Sequence, residues 1–446
     1  MPSREATLRW LLGGLSSVLV AAGAARAEER PLSLAEALAM AERQNPEVRA
    51  VFDRAEAQAA RAEGVRRSTW PRLSLASRWA RSDNPAAVFA ARLNSSEFRE
   101  ADFAIDRLNA PSALSHQMTT LTLEAPLDPF GRVRTMADGQ AALGRAADAG
   151  AREAVRELRL RVTEAYRHAE LAGRAVRVTA RALEGARARE AEVQARVGEG
   201  AALPADGLRA RARRRRREAD LAERRGEARV ALAALGRLLG ARAGEAFTPT
   251  EAPPAPVPLE GEEAGWTARA LRQRPVLEAA RHRREAGDAF ARGERRSLLP
   301  EVAALVQVQD DRIAFADGGQ SWAVGAQVRW TPFDGTRGRR VAAAEAESRA
   351  ARQDERAAAD QVRLEVETAF RRAEVARERY EAAAGGAMEG REALRVMQER
   401  RQAGLATLTD ELETEAASLA AELEELRAAT EIALADVALR RAAGEE

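Results

Sequence analysis

Trp322-Ala323-Val324-Gly325-Ala326-Gln327-Val328-Arg329-Trp330 is the stretch on which the reading of this chain turns. Side chains alternate across an extended strand, so Trp322, Val324, Ala326, Val328 and Trp330 share one face, against Gly325, Gln327 and Arg329. The two tryptophans bracket that face over about 26 Å of strand. An apolar strip of about this height, flanked by aromatic girdles, is what a lipid-facing barrel strand requires. A soluble, half-buried sheet shows the same alternation, so the strip must be weighed with the rest of the chain.

Three other segments alternate in the same way. Leu73, Leu75 and Trp79 oppose Ser74 and Arg78; Leu121, Leu123, Ala125 and Leu127 oppose Thr120, Thr122 and Glu124. Val302, Ala304, Val306 and Val308 face away from Glu301, Gln307 and Gln309. Trp79, Trp322 and Trp330 are the candidate membrane-interface aromatics. Four strands cannot close a barrel, and lipid does not tolerate an open strand edge. Closure therefore needs several chains: two give eight strands with a filled interior, three give twelve with room for a lumen.

Outside the strands the pattern is helical and repeated. Leu158, Val162, Ala165, Ala169, Ala172 and Val176 step by 4, 3, 4, 3 and 4, and Val362, Val366, Ala369, Ala373, Ala376 and Tyr380 repeat those steps 204 residues on. This is a coiled-coil seam with small knobs, which lets helix axes approach closely. The first long helix should span about 132–196, roughly 95–100 Å at 1.5 Å per residue. Shorter helices over about 33–68 and 205–240, stacked end to end, match that length. Asn45-Pro46 recurs as Arg274-Pro275 and Trp70-Pro71 as Leu299-Pro300, both 229 residues on; Gly200 recurs as Gly404 and Gly240 as Gly444. The chain thus reads as one plan used twice, 28–240 and 263–446, joined by a proline-rich linker over 241–262. The first copy holds about 25 more residues, between its strands at about 80–117, as a loop insertion. The aromatic residues of that loop suggest self-packing, and spanning strands would place it outside the cell.

Composition agrees with long helices. Roughly a quarter of the 446 residues are alanine, 31% are charged, and aromatics are few. There is no cysteine, which excludes disulfides, thiolate metal sites, a cysteine nucleophile and a lipid anchor on an N-terminal cysteine. Arg4 and Arg9, the apolar run Trp10–Ala25 and the small-x-small site Ala25-Arg26-Ala27 read as a cleavable signal peptide over 1–27. Its removal takes away Arg4, Arg9, Arg26 and Glu5, turning a net +2 into zero. That balance argues against nucleic acid as a partner, whose affinity rests on excess cations. No later segment has the 18 consecutive apolar residues of a spanning helix, so a mature chain that spans a membrane must do so with β-strands.

The chain also carries Leu34-Ala35-Glu36-Ala37-Leu38-Ala39-Met40-Ala41 leading to Asn45-Pro46, the element Pro126-Leu127-Asp128-Pro129-Phe130, echoed at Trp330–Gly335, and a Gly-x-x-x-x-x-Asp pattern at Gly200–Asp206 that recurs at Gly404–Asp410. Together with the signal peptide, the tandem repeat and the two strand pairs, they resemble the TolC-type outer-membrane efflux proteins, over about 30–444. Arg274 departs from the Asn-Pro pattern. The resemblance implies a mainly α fold with a small β part: a homotrimer with a 12-stranded barrel in the outer membrane, continuing into a periplasmic α-helical tunnel. It also implies a passive duct of a tripartite efflux or type I secretion system, working with a periplasmic adaptor protein and an inner-membrane RND or ABC-type transporter. The helical tips at Val197, Gly198, Gly200 and Leu203 and at Gly404, Leu405 and Thr407 would dock the adaptor. By position, the acidic ring that closes the periplasmic entrance carries over to Asp410 and to Glu413, where glutamate replaces aspartate. Asp206, in the first repeat, fits a helix-dipole role better than a ring.

Other features point to no chemistry. Arg213–Arg217 lies on a helix among Glu218, Asp220, Glu223 and Glu227 without stacking aromatics, as a solvated or groove-packed face. His116, His168 and His282 lack metal-ligand spacing. No nucleophile elbow or phosphate loop is present, so the expectation is a non-enzyme without cofactor. The competing reading is a soluble periplasmic coiled-coil scaffold or adaptor, although an adaptor would carry one hairpin rather than two.

Overall fold

The computed structural model describes residues 30–242, 245, 247–254, 258–313 and 318–445. The signal-peptide reading of 1–27 lies outside them. Ten α-helices and six strands are described. The chain runs through β1 (Arg30–Leu32), α1 (Leu34–Gln44), α2 (Pro46–Arg66), β2 (Arg72–Ser82), α3 (Pro85–Asn94), α4 (Ile105–Asn109), β3 (Leu114–Leu127), α5 (Arg132–Gly198), α6 (Pro204–Leu239) and β4 (Phe247–Pro249). It continues through α7 (Glu263–Gln273), α8 (Pro275–Arg296), β5 (Glu301–Ile313), β6 (Gly319–Arg329), α9 (Arg337–Gln402) and α10 (Leu408–Ala443).

The helices α5 and α9 are 67 and 66 residues long, unbroken because neither contains a proline and both are dense in alanine, arginine and glutamate. Each is flanked by two shorter helices set end to end: α2 and α6 pack along α5, and α8 and α10 along α9. Because α8 and α10 also pack against α5, the four columns lie in the order α2/α6, α5, α8/α10, α9. The expected single helix over 33–68 is split, and its counterpart in the second repeat is split likewise. Asn45 (φ −64°, ψ 120°) and Arg274 (φ −69°, ψ 121°) are extended, because the proline that follows each clashes with an α conformation.

Two cores hold the columns together at mid-length. Ala37, Ala41, Val48, Leu158, Val162, Tyr166, Leu235 and Leu239 form the first, with Leu32 and Phe247. Trp266, Ala270, Leu277, Val362, Val366, Phe370, Leu439 and Ala443 occupy the corresponding places in the second. The seam positions Leu158, Val162, Val362 and Val366 are almost wholly buried, so the stepping pattern marks the helix faces that meet. The proline-rich linker holds an element the sequence pattern does not reveal. The strand β4 lies within it and pairs in parallel with β1. The Tyr166 hydroxyl donates to the Leu32 carbonyl at 2.8 Å and accepts from the N–H groups of Thr250 and Glu251, both at 3.1 Å. Three-residue strands are too short for periodicity; what fixes them is one buried phenol.

The strands β2, β3, β5 and β6 form an antiparallel sheet in that order, at the end of the molecule opposite the α5–α6 and α9–α10 turns. The inserted loop carries α3 and α4. Its Phe89, Phe98 and Phe103 stack edge to face, with ring centres 4.8 and 4.9 Å apart.

Candidate functional site

Register makes the sheet two-faced. Leu73, Leu123, Val306 and Val324 line up across the four strands, and Leu75, Leu121, Val308 and Trp322 form the next row. Toward the helices the same face continues as Ala125, Ala304 and Ala326, then Leu127, Val302 and Val328. The opposite face carries Ser74, Thr122 and Gln307, then Ala76, Thr120, Gln309 and Ser321. Leu75 is 72% exposed and Trp322 77%, so the apolar face is uncovered within one chain. Uncovered apolar area of this extent marks a contact with lipid or another surface. The edges at β2 and β6 have no partner strand among the described residues.

Trp79 and Trp322 stand toward the loop end of the sheet, both exposed. Trp330 lies one residue beyond β6, not within it, and its indole N–H donates to the Leu298 carbonyl at 3.2 Å. That bond fixes Trp330 against the α8–β5 connection at the helical end. Trp70 and Phe333, also exposed at that end, are not among the interface aromatics read from sequence, because neither belongs to an alternating run.

Both tips are built alike. Gly200 (φ +72°) and Gly404 (φ +76°) take the left-handed conformation that terminates α5 and α9, where a β-carbon would be strained. The N–H groups of Ala201 and Leu405 close onto the carbonyls of Arg196 and Arg400 at 2.7 and 2.8 Å, while Gly200 and Gly404 bond Val197 and Arg401. These paired bonds satisfy the last carbonyls of each long helix. Val197 and Gly198 are the final residues of α5; Leu203 and Leu405 project into solvent beyond the turns.

The acidic candidates fall just after the second tip. Asp410 is the third residue of α10, and its carboxylate accepts from the Thr407 N–H at 3.0 Å and the Thr407 hydroxyl at 2.7 Å. The Thr407 hydroxyl in turn accepts from the Asp410 N–H, which completes a capping box. The Thr407 hydroxyl and then its N–H hold the Asp410 carboxyl below its ordinary range. Asp206 lies in the first turn of α6, where the expected dipole role places it, and Asp410 holds the same place in α10. In the first repeat Leu203 stands where Thr407 does and cannot cap, so Asp206 pairs with Arg209 at 3.3 Å instead. Thr-x-x-Asp ahead of α10 is the signal that would have shown this. Glu413 is exposed one turn on.

One residue from that tip was missed altogether. Glu411 has no exposed surface and sits between Arg189 of α5 and Arg401 of α9, pairing with both. Glu192 meets the same two arginines at 3.0 Å each. Burial pushes the Glu411 carboxyl up, against the pull of the two guanidinium groups. For Glu192 the balance goes the other way: burial raises it, but Arg401 and Arg189 outweigh that and leave it lowered. The four side chains come from three helices, so no local spacing announces them. The arginine run is partly packed in the groove, where Arg214 reaches Glu190 at 2.5 Å and Arg213 donates to the Leu412 carbonyl at 3.0 Å, and partly solvated at Arg215 and Arg216.

At mid-length, Asn45 and Arg274 do one job by different chemistry. Asn45 donates to the Leu238 carbonyl at 2.9 Å, and its oxygen caps α2 through Glu47 and Val48. Arg274 donates to the carbonyl of Ala442, the residue equivalent to Leu238, at 3.1 Å. It also pairs with Glu365 at 2.9 Å and with Glu153 of the first repeat at 2.8 Å. Arg441 joins Glu153 and Glu157, so the departure from Asn-Pro creates a buried ionic junction between the two repeats.

A two-faced sheet mounted on helices of this length is the build of an outer-membrane channel. The chain belongs to the outer membrane efflux protein family, whose model matches residues 37–241 and 266–445. Among solved structures, a membrane protein from Pseudomonas aeruginosa has a TM-score of 0.79 at 24% identity, covering 92% of this chain and 93% of that one. The Campylobacter jejuni CmeC outer membrane channel scores 0.78 at 16% identity, over 92% and 85%. The open state of the Neisseria gonorrhoeae MtrE outer membrane channel scores 0.73 at 21% identity, over 92% and 89%. These likenesses carry the fold. No curated protein matches the chain.

Proposed function

We propose that three copies of this chain form a passive duct across the outer membrane, the outer component of a tripartite efflux or type I secretion system. The observation that carries this reading is the sheet: apolar on one face, polar on the other, with both edges unpaired among the described residues. In lipid an unpaired edge is too costly to persist, so β2 of one copy must bond β6 of the next, and three copies give twelve strands around a polar lumen. The apolar rows then face acyl chains, with Trp79 and Trp322 at one interface and Trp330 at the other. The repeats 28–240 and 263–446, joined through 241–262, supply the columns of a tunnel continuing the barrel into the periplasm. Residues 1–27 serve as a signal peptide removed on export.

The tips support docking to a periplasmic adaptor protein that couples the duct to an inner-membrane RND or ABC-type transporter. Val197, Gly198, Gly200 and Leu203 present one knuckle, and Gly404, Leu405 and Thr407 the other. Just inside the second, Asp410 and Glu413 of three copies ring the periplasmic entrance. Concentrated negative charge in a throat binds cations and opposes anions. Replacing both, as Asp410→Ala with Glu413→Ala, should weaken block by divalent cations and lower cation selectivity in planar-bilayer recordings. Selectivity unchanged from the parent channel removes the two residues from that role.

A further inference from the structure

The inserted loop between β2 and β3 does not stand clear of the sheet. Its helix α3 buries Val88 and Ala91 against β5 and β6. The sheet residues it covers are Asp311, Ile313 and Gly319, of which Asp311 is only 1% exposed. All three lie on the polar face: Asp311 and Ile313 continue the row of Gln307 and Gln309, and Gly319 is the register partner of Asp311. The fit is close, since a β-carbon on Gly319 would collide with the Asn94 carbonyl at the end of α3. Beneath the loop, His116 meets Asp311 at 2.7 Å, and Gln309 donates to the other Asp311 oxygen at 2.7 Å. The loop is therefore anchored on the side of the sheet that carries the polar rows, at the end away from the helices.

Its outer surface exposes large apolar side chains among charged ones such as Arg99, Glu100, Asp106 and Arg107. Phe103 is 63% exposed and Ile105 75%, and Leu93 is exposed beside them. A loop facing water needs no such side chains, and lipid lies on the opposite face of the sheet. Arg92 and Asp102, 3.7 Å apart, and the stacked Phe89, Phe98 and Phe103 keep the loop folded, so the apolar tip is held out rather than collapsed onto its own chain. Closing three sheets into one barrel points all three polar faces at a common axis, and each loop with them.

We propose that the three loops meet on that axis through Phe103 and Ile105 and form an apolar plug across the extracellular mouth. The partner of this surface is a second copy of the same chain. The inference rests on the trimeric barrel proposed above. The plug closes the outer end independently of the tips, about 100 Å or more away along the helices.

The absence of cysteine makes the test direct. Ile105→Cys, treated in outer membranes with a short bismaleimide, should convert up to about two thirds of the chains into covalent dimers, the most that three clustered thiols allow. Leu75→Cys on the apolar face should give none. A second measurement reads closure: Ala323→Cys, on the polar face below the loop, should be poorly labelled from outside intact cells by a bulky maleimide polymer. Adding Phe103→Ser and Ile105→Ser should raise that labelling several-fold. Trimers in detergent that give no Ile105→Cys dimers, or labelling of Ala323→Cys indifferent to the two serines, overturn the plug and leave the channel standing. Monomers in detergent overturn both.

Discussion

Single residues explain where the two repeats differ. Thr407 and Leu203 occupy equivalent places before α10 and α6, yet only Thr407 can accept from the third N–H of its helix. Losing such a cap costs about 1 kcal/mol. Thr407→Ala should therefore fray the start of α10, seen as faster hydrogen exchange at residues 408–411, with the rest of α10 unchanged. Leu203→Thr should do the reverse at the first tip, by giving Asp206 a partner. Arg274 is the more consequential case. Truncating one member of a buried ionic cluster costs about 3 kcal/mol, chiefly through the charges left behind. Arg274→Ala should lower the urea midpoint accordingly. Arg274→Asn should fall between Ala and the parent, because asparagine can reach the Ala442 carbonyl but not Glu153. Equal loss in both variants would show that the carbonyl bond contributes nothing.

At the scale of elements, what the sequence discloses depends on length. The helices α5 and α9 are legible because a seam stepping by 4 and 3 over 158–176 recurs over 362–380 and no proline interrupts either helix. The strands are legible because one face must be apolar throughout, and a one-residue slip would expose it wrongly. The β1–β4 pair is not legible, since three residues carry no period. The breaks at Asn45 and Arg274 follow from the prolines, but apolar spacing that runs on through them hides the change of direction. Trp330 shows a subtler limit. It keeps the strand's alternation yet lies beyond β6, tied to Leu298 by its N–H. The Glu411 cluster could not be read at all, because Arg189, Arg401 and Glu411 are neighbours only once three helices have assembled. The two faces of the sheet yield a prediction at this scale. Arginine on a lipid-facing strand costs about 2–4 kcal/mol at mid-membrane. Val324→Arg should sharply reduce the yield in outer-membrane fractions. Ala323→Arg, one residue away on the polar face, should be tolerated. Equal yields from the two would show that the apolar face does not meet lipid.

Across the whole molecule, the outer strands β2 and β6 have no partner strand among the described residues and the apolar face of the sheet is uncovered, while the two helical cores are well buried. That imbalance is what a subunit looks like when its strands are meant to be shared. The near-equal numbers of basic and acidic residues, 71 and 69, fit the same picture, in which arginine and glutamate pair along the helix columns rather than gather a charged partner. The alanine excess also finds its use there, since small side chains let the columns pack closely along their seams. The claim on which everything else depends is that three chains share one barrel in the outer membrane. The direct measurement is the detergent-corrected mass of the protein extracted from outer membranes, taken with its electrophoretic mobility before and after heating. The account predicts a particle of three chains that runs as a compact species until heated. A single chain, released with the periplasmic fluid by osmotic shock and unaltered in mobility by heat, would contradict it.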